Sequence, residues 1–336
     1  MDEAARGRLH AWLGGRLGRK VIAAELGRLA GGAVQENWGL TLRMACGREE
    51  RLVLRRDAPA TIRSSRSRAE EFGVLEEMAA AGVAVAEPVA LCTDPAVLGS
   101  PFFLMRHVAG VADPRRLVRD DALIPSRASF GAALGAELAH IHAIRPPHPR
   151  LTFLGPPDAD PALLRIRTYR SGLDRLGAPQ PAIEWVLRWL ERHRPEPPAP
   201  TLIHGDYRIG NIMVAAGKIA AVLDWEFADW GDPDEDIGWF CARCWRFGHP
   251  EREAGGVAAR ADFYRGYEAA SGRTIEAGRI SYWEAMAAIR WAVIALEQGE
   301  RHRAEQEPGL EAALSGRMAP QLVEEAMAVI AAIEHA

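Results

Sequence analysis

Apolar positions along the chain keep two different rhythms, and the places where one gives way to the other outline its elements. Leu9, Trp12, Leu13 and Leu17 recur at helical spacing and predict an N-terminal helix over 2–17. Next, Gly31-Gly32 leads into a strand, polar residues follow, and Gly39-Leu40-Thr41-Leu42 reads as a second strand, which together predict a hairpin. A further strand starts at Arg51 and ends in a Pro59 turn. Residues 65–81 turn helical, with Phe72, Leu75, Met78 and Ala79 on one stripe and Gly82 as the stop. An apolar strand around Phe102-Phe103-Leu104-Met105 then runs into a connection that ends at Gly110.

Beyond 110 the helical rhythm dominates. Ser126 caps a helix striped by Phe130, Leu134, Leu138 and Ile141, and Pro181 opens another over Ile183–Leu190. A stiff segment, Pro195-Glu-Pro-Pro-Ala-Pro200, follows. The pattern then returns to strands: Leu202-Ile203, a polar loop, Ile212-Met213-Val214, and Ile219 to Leu223. Everything after about Ile237 again reads as helix, through Phe263 and Tyr267, Tyr282 to Leu296, and Leu322 to Ile333. The order predicts an α+β chain, a small antiparallel sheet with a helix followed by a mostly helical part that encloses one hairpin.

Composition narrows the class without choosing a function. At 336 residues, 48% hydrophobic and 26% charged, the chain has the make-up of an ordinary globular protein with room for two lobes. A net charge of −4 and a pI near 6.2 give no basis for nucleic acid or anionic membrane as partner. The acidic start, Met1-Asp2-Glu3, lacks the apolar stretch of a signal peptide, and no apolar run reaches the ~20 residues of a membrane-spanning helix, so a cytoplasmic protein is expected. Cys241-x-x-Cys244 invites a zinc or redox reading, but it sits in an apolar helical pattern without a second ligand pair, which predicts a buried helix face. His140-x-His142 cannot face one metal from a helix, because positions i and i+2 point apart.

The chemistry concentrates between His204 and Glu226. If Gly217-Lys218 are the central residues of a type II′ turn, the register places Asn211 opposite Asp224, with Cβ atoms roughly 5 Å apart on one face. An amide oxygen and a carboxylate then converge, a pair suited to Mg²⁺, which is held by one or two protein groups and completed by waters and phosphates. Asp206, in the loop just before, is positioned to accept a proton from an incoming hydroxyl. Neither a Walker A sequence nor G-x-G-x-x-G is present. In the acidic run Asp232 to Asp236, capping of a helix near Ile237 accounts for Asp234 or Asp236.

His204-Gly-Asp206 with Asn211 five residues on, then Asp224-Trp-Glu226 and Gly231-Asp232-Pro233, resembles the aminoglycoside phosphotransferase family, whose members share the protein-kinase-like fold. The resemblance implies two lobes, a nucleotide-binding one over 1–106 and a catalytic and acceptor-binding one over 107–336. It implies ATP and Mg²⁺, with Asp206 as catalytic base and Asn211 and Asp224 as metal ligands. It further implies that Gly31 and Gly32 cover the nucleotide and that backbone groups of His107 and Val108 meet the adenine. Where the family usually carries a lysine for the phosphates, this sequence has Arg55, which keeps the charge in a forked form, and Glu71 is the glutamate expected to orient it. The acceptor implied is a hydroxyl of a small molecule. Gln35-Glu-Asn-Trp38 together with the 204–211 wording looks like a branch linked to acyl-CoA metabolism, where hydroxyacyl compounds are phosphorylated. An aminoglycoside or macrolide phosphotransferase, and a nucleotide-binding module without turnover, are the alternatives; a protein kinase is disfavoured because no A-P-E segment follows Asp224. From Phe240 onward 14 acids face 11 arginines, a balance that does not select a polycationic acceptor.

Overall fold

The computed structural model describes residues 2–16, 21–29, 35–57, 65–305 and 309–335. Its N-terminal part opens with α1 (Glu3–Arg16), which lays Leu9 and Leu13 on a sheet built from β1 (Val21–Arg28), β2 (Gln35–Met44) and β3 (Glu49–Asp57). Helix α2 (Arg68–Ala80) follows, then β4 (Pro88–Cys92), the short α3 (Pro95–Leu98) and β5 (Phe102–Arg106). The five strands run antiparallel in the order β1-β2-β3-β5-β4. One apolar cluster, with Leu40, Leu52, Leu54, Phe102 and Leu104, packs α1 against one side. Phe103 belongs instead to the cluster of α2, with Phe72, Leu75 and Met78.

Strand β1 has no counterpart in the sequence reading, because Val-Ile-Ala-Ala-Glu-Leu lacks the alternation that marks a half-buried strand. Strand β2 also corrects it: the polar stretch Gln35-Glu36-Asn37 is the start of one ten-residue strand rather than a loop. Cross-strand pairing, here with Asp57, Arg56 and Arg55, overrides local polarity. The expected helix over 65–81 is present one turn shorter, and its start is a capping box. Ser67 accepts from the Glu70 amide, and the Glu70 carboxylate accepts from the Ser67 amide. Gly82 follows in the left-handed region.

The remainder is helical around short strands. In order come α4 (Pro114–Arg119), α5 (Arg127–His142), α6 (Pro161–Leu176), α7 (Pro181–Arg192), β6 (Thr201–Ile203), β7 (Ile212–Ala215), β8 (Lys218–Val222) and β9 (Asp229–Gly231). These are followed by α8 (Pro233–Cys241), α9 (Arg260–Ser271), α10 (Ala277–Arg303), α11 (Leu310–Gly316) and α12 (Ala319–Glu334). Strand β6 pairs with β9 and β7 with β8. Helices α5 and α9 cross so closely that a Cβ on Gly266 would stand 1.9 Å from the Ala132 carbonyl oxygen. That contact braces α5, which carries His142 toward the central loops. A second core joins α6, α7, α10 and α12 through Ile166, Leu187, Trp283, Ile289 and Leu322.

Two local expectations are corrected. Helix α8 begins at Pro233 with Asp232 as its cap, so neither Asp234 nor Asp236 has the capping role. Cys241 closes α8 while Cys244 lies in the 3-10 turn that follows, so the pair does not share one helix face. Both thiols are free, and burial pushes Cys241 up to about 12, which leaves it an inert thiol at neutral pH. Among the described residues no helix is long and apolar enough to cross a membrane.

Candidate active site

The site is built on the connection between β6 and α8. Buried Thr201-Leu202-Ile203 fixes where the loop starts, and His204-Gly205-Asp206 turns away from it. Gly205 adopts φ +75°, and a Cβ there would stand 2.4 Å from the Phe227 carbonyl oxygen, so the turn requires glycine. The loop is anchored by Asp236 in the first turn of α8, which accepts from the amides of His204 at 2.6 Å and Gly205 at 2.9 Å. His142 of α5 is hydrogen-bonded to the same carboxylate at 3.2 Å and to the Tyr267 hydroxyl at 2.9 Å. His142 and Asp236 are both buried, whereas His140 is exposed, so the two histidines do point apart.

His204 is oriented by the same geometry. The Asp206 amide donates to Nδ1 at 3.1 Å, so Nδ1 is the acceptor and Nε2–H donates to the Leu223 carbonyl at 2.9 Å. Burial lowers the pKa of this imidazole against the opposing pull of Asp236 and Asp206, which agrees with a neutral ring.

Asp206 is buried and accepts on both oxygens. Trp239 Nε1 donates to Oδ1 at 2.9 Å, Asn211 Nδ2 to Oδ2 at 2.7 Å, and Arg208 Nε reaches both, at 3.3 and 3.1 Å. Asn211 also donates to the Asp206 carbonyl at 2.9 Å. Asp206 and Asn211 are therefore brought into direct contact. The Asn211 amide nitrogen faces Asp206, which leaves its oxygen as the atom open to a cation.

The hairpin register differs from the sequence reading. Ala216 and Gly217 both have positive φ, 49° and 74°, and Ala215 pairs with Lys218, so the turn is of the I′ kind and centred one residue earlier than Gly217-Lys218. A register shift follows between Val214, opposite Ile219, and Met213, opposite Ala221, which leaves Ala220 as the extra residue. Leu223 N then donates to Asn211 O at 2.8 Å, so Leu223 and not Asp224 lies across from Asn211. Asp224 follows at φ +60°, a left-handed conformation that only glycine, Asn and Asp adopt readily.

Asp224 instead meets the sheet. Arg55 of β3 donates from Nη1 to Asp224 Oδ1 at 2.7 Å and from Nε to Glu71 Oε1 at 3.0 Å. Packing around the Asp224 carboxyl works to raise its pKa, but Arg55 and then Arg208 outweigh it and hold the group below the usual carboxylate value. Burial raises the Glu71 pKa against the lowering pull of Arg55 and Arg68. Arg55 is itself buried, and its Nη2 has no hydrogen-bond partner. A buried, orphaned guanidinium nitrogen beside a carboxylate is a donor in want of an oxyanion. Arg68, buried as well, contacts Glu71, Asp57 and Glu226, so α2 is tied at once to the sheet and to the Asp224-Trp-Glu226 segment. The Arg66 amide adds a bond to the Glu226 carbonyl at 2.8 Å.

The remaining candidates stand apart from this cluster. His107 and Val108 follow β5, and the His107 amide is committed to the Arg51 carbonyl at 3.1 Å. Gly31 and Gly32 lie outside the described residues. Sequence reasoning missed Trp239, Arg208, Asp236 and Arg68. For two of them a signal exists: Asp236 and Trp239 are one turn apart on α8, a spacing that presents both to one loop.

A family model described as the phosphotransferase enzyme family matches residues 25–273. The mouse protein acyl-CoA dehydrogenase family member 10 is 32% identical over 200 residues, 57% of this chain and 18% of that protein. The chain spans about a fifth of the length of the curated relatives it matches. A Ralstonia eutropha protein provisionally assigned as an aminoglycoside phosphotransferase superposes with a TM-score of 0.76 at 22% identity, covering 96% of this chain and 97% of the other. A spectinomycin phosphotransferase solved with ADP and spectinomycin gives 0.62 at 13%, over 96% and 98%. At these identities the likeness is one of fold. It is the kinase-like α+β fold expected from the sequence, a five-stranded antiparallel sheet followed by a helical part.

Proposed function

Because the chain belongs to the phosphotransferase enzyme family, we propose that it transfers the γ-phosphoryl group of ATP to a hydroxyl of a small molecule with the help of Mg²⁺. One observation carries this reading: Arg55 bridges Glu71 and Asp224 at one end of a cluster whose other end is Asp206, held by Asn211 and Trp239. A phosphate-binding cation, two hard oxygen ligands and a hydroxyl-facing carboxylate are the parts that phosphoryl transfer needs.

The donor set fits both the phosphates of ATP and Mg²⁺. The orphaned Arg55 Nη2 suits a phosphate oxygen, and the Asn211 amide oxygen with the Asp224 carboxylate suits Mg²⁺. When bound, Mg²⁺ neutralises charge on the phosphates. Asp206 orients the acceptor hydroxyl and takes its proton, while Trp239 and Asn211 keep the carboxylate from rotating. Backbone groups of Val108 are left for the adenine. Residues 1–106 then serve as the nucleotide lobe and 107–336 as the catalytic and acceptor lobe. Neighbours solved with ADP or with GDP support a purine nucleotide as donor, and the acyl-CoA dehydrogenase names of the relatives support a hydroxyacyl acceptor.

The test is ADP release from Mg-ATP by the purified protein with pooled hydroxylated metabolites, hydroxyacyl compounds among them. Acceptor-stimulated, chelator-sensitive turnover is expected. Measurable ATP binding with no acceptor-stimulated turnover would mean a nucleotide-binding module instead.

A further inference from the structure

Trp239 touches Asp206 with its indole N–H and presents its ring face to something else. Arg290 of α10 lies over that face, its Cζ 4.2 Å from the ring centroid. Trp239 belongs to an aromatic layer that continues through Trp245 and Trp291, each step 5.1 Å between centroids. A second arginine, Arg208, rests on Trp245 at 5.1 Å, but it is already paired with Asp206. Arg290 differs. Among the described residues no carboxylate lies within ion-pair distance of it.

Its neighbours are all neutralised. Arg290 lines a small open recess with Tyr169, Glu235, Trp239, Trp283 and Met286. The one acid there, Glu235, is held by Arg165 through two bonds of 2.8 and 3.0 Å. Arg246, next to Trp245 of the aromatic layer, has Glu253 and Glu284, and Arg243 has Glu325. The recess and its partners thus carry a surplus positive charge one indole ring away from the Asp206 carboxylate. Stacking on Trp239 holds the guanidinium over the ring, so its fork is preorganised rather than free to swing into solvent.

We propose that the acceptor carries an oxyanion, a carboxylate or a phosphate, and that Arg290 binds it while the acceptor hydroxyl meets Asp206. The inference rests on the phosphotransfer reading and narrows it. A forked donor matches the two oxygens of a carboxylate or phosphate. A polycationic acceptor finds no unpaired carboxylate in this recess.

Binding is measured by calorimetry in the presence of Mg²⁺ and a non-hydrolysable ATP analogue. The probes are 4-hydroxybutyrate, glycerol 3-phosphate, the neutral 4-hydroxybutanamide and the cationic 4-amino-1-butanol. At least one of the two anions is expected to bind tenfold or more tightly than the amide. Arg290→Gln should abolish that preference, and Arg290→Lys, which keeps the charge without the fork, should restore part of it. Unchanged nucleotide affinity in both variants shows that they fold. Equal binding of the amide or amine, no measurable binding of either anion, or an undiminished preference in Arg290→Gln overturns the proposal. Anion binding that depends on Arg290 without any ADP release from ATP leaves the anion site standing and removes the phosphotransfer reading.

Discussion

Asp236→Asn is the sharpest single test of how the site is held. The Asp236 carboxylate is fully buried and takes three contacts, from the His204 amide, the Gly205 amide and His142. Asparagine matches its volume but offers one oxygen and one NH₂. With the oxygen toward His204, the NH₂ confronts the Gly205 N–H; turned over, it confronts the His204 N–H. Either way one buried amide loses its acceptor, which costs about 1–3 kcal/mol. The contacts that survive change from charge-assisted to neutral, which removes roughly 1 kcal/mol each. The total is about 3–5 kcal/mol, a large share of the ~5–15 kcal/mol that holds a typical domain. At about 1–2 °C per kcal/mol for a chain of 336 residues, thermal unfolding should begin roughly 4–7 °C earlier. Because Asp206 follows the loop, turnover should fall about a hundredfold, as expected when a reacting group is displaced by about 1 Å, while nucleotide affinity changes little. A variant that melts within about 2 °C of the parent would refute the anchoring role.

Asp206→Ala is expected to abolish turnover with ATP affinity nearly intact; activity within about tenfold of the parent removes Asp206 as the base. Asp224→Asn should weaken Mg-dependent nucleotide binding, and unchanged affinity counts against the metal site. The same variant tests linkage. Since the folded Asp224 pKa lies below its ordinary value, the Arg55 pairing stabilises the fold above about pH 4, and this contribution is lost as pH falls through the lowered folded value. Asp224→Asn should flatten that acid limb, and an identical acid profile would show no linkage. Gly205→Ala forces a Cβ against Phe227 at positive φ and should destabilise by on the order of 2 kcal/mol or more; a neutral effect on urea unfolding would show that the turn relaxes freely.

What the sequence discloses about this site depends on how far apart in the chain the partners lie. Asp206, Asn211 and Asp224 share one short stretch, and local turn logic is enough to group them. That logic misjudged the register, because Ala216 takes a positive φ that alanine seldom adopts and Ala220 forms a bulge, two departures no propensity announces. Arg55 and Glu71 are legible only through family resemblance, since nothing local shows that β3 and α2 meet across sixteen positions of chain. Arg68, Trp239 and Arg208 look like ordinary helix and loop residues until folding brings their partners to them. Helix α2, with its stripe and its stop at Gly82, and the capped and striped α5 were readable for the opposite reason, as stripe, stop and cap are written within a few residues.

The left-handed backbone at Asp224 filters substitutions twice. The conformation admits glycine, Asn and Asp, whereas the proposed chemistry demands a side-chain oxygen. Only Asp and Asn pass both conditions. Alanine at this position would strain the turn and delete the ligand together, so its effect would report neither alone. A library randomised at 224 and selected for turnover should therefore lose glycine along with the residues the turn excludes, and keep aspartate ahead of asparagine, whose uncharged amide binds the cation less tightly.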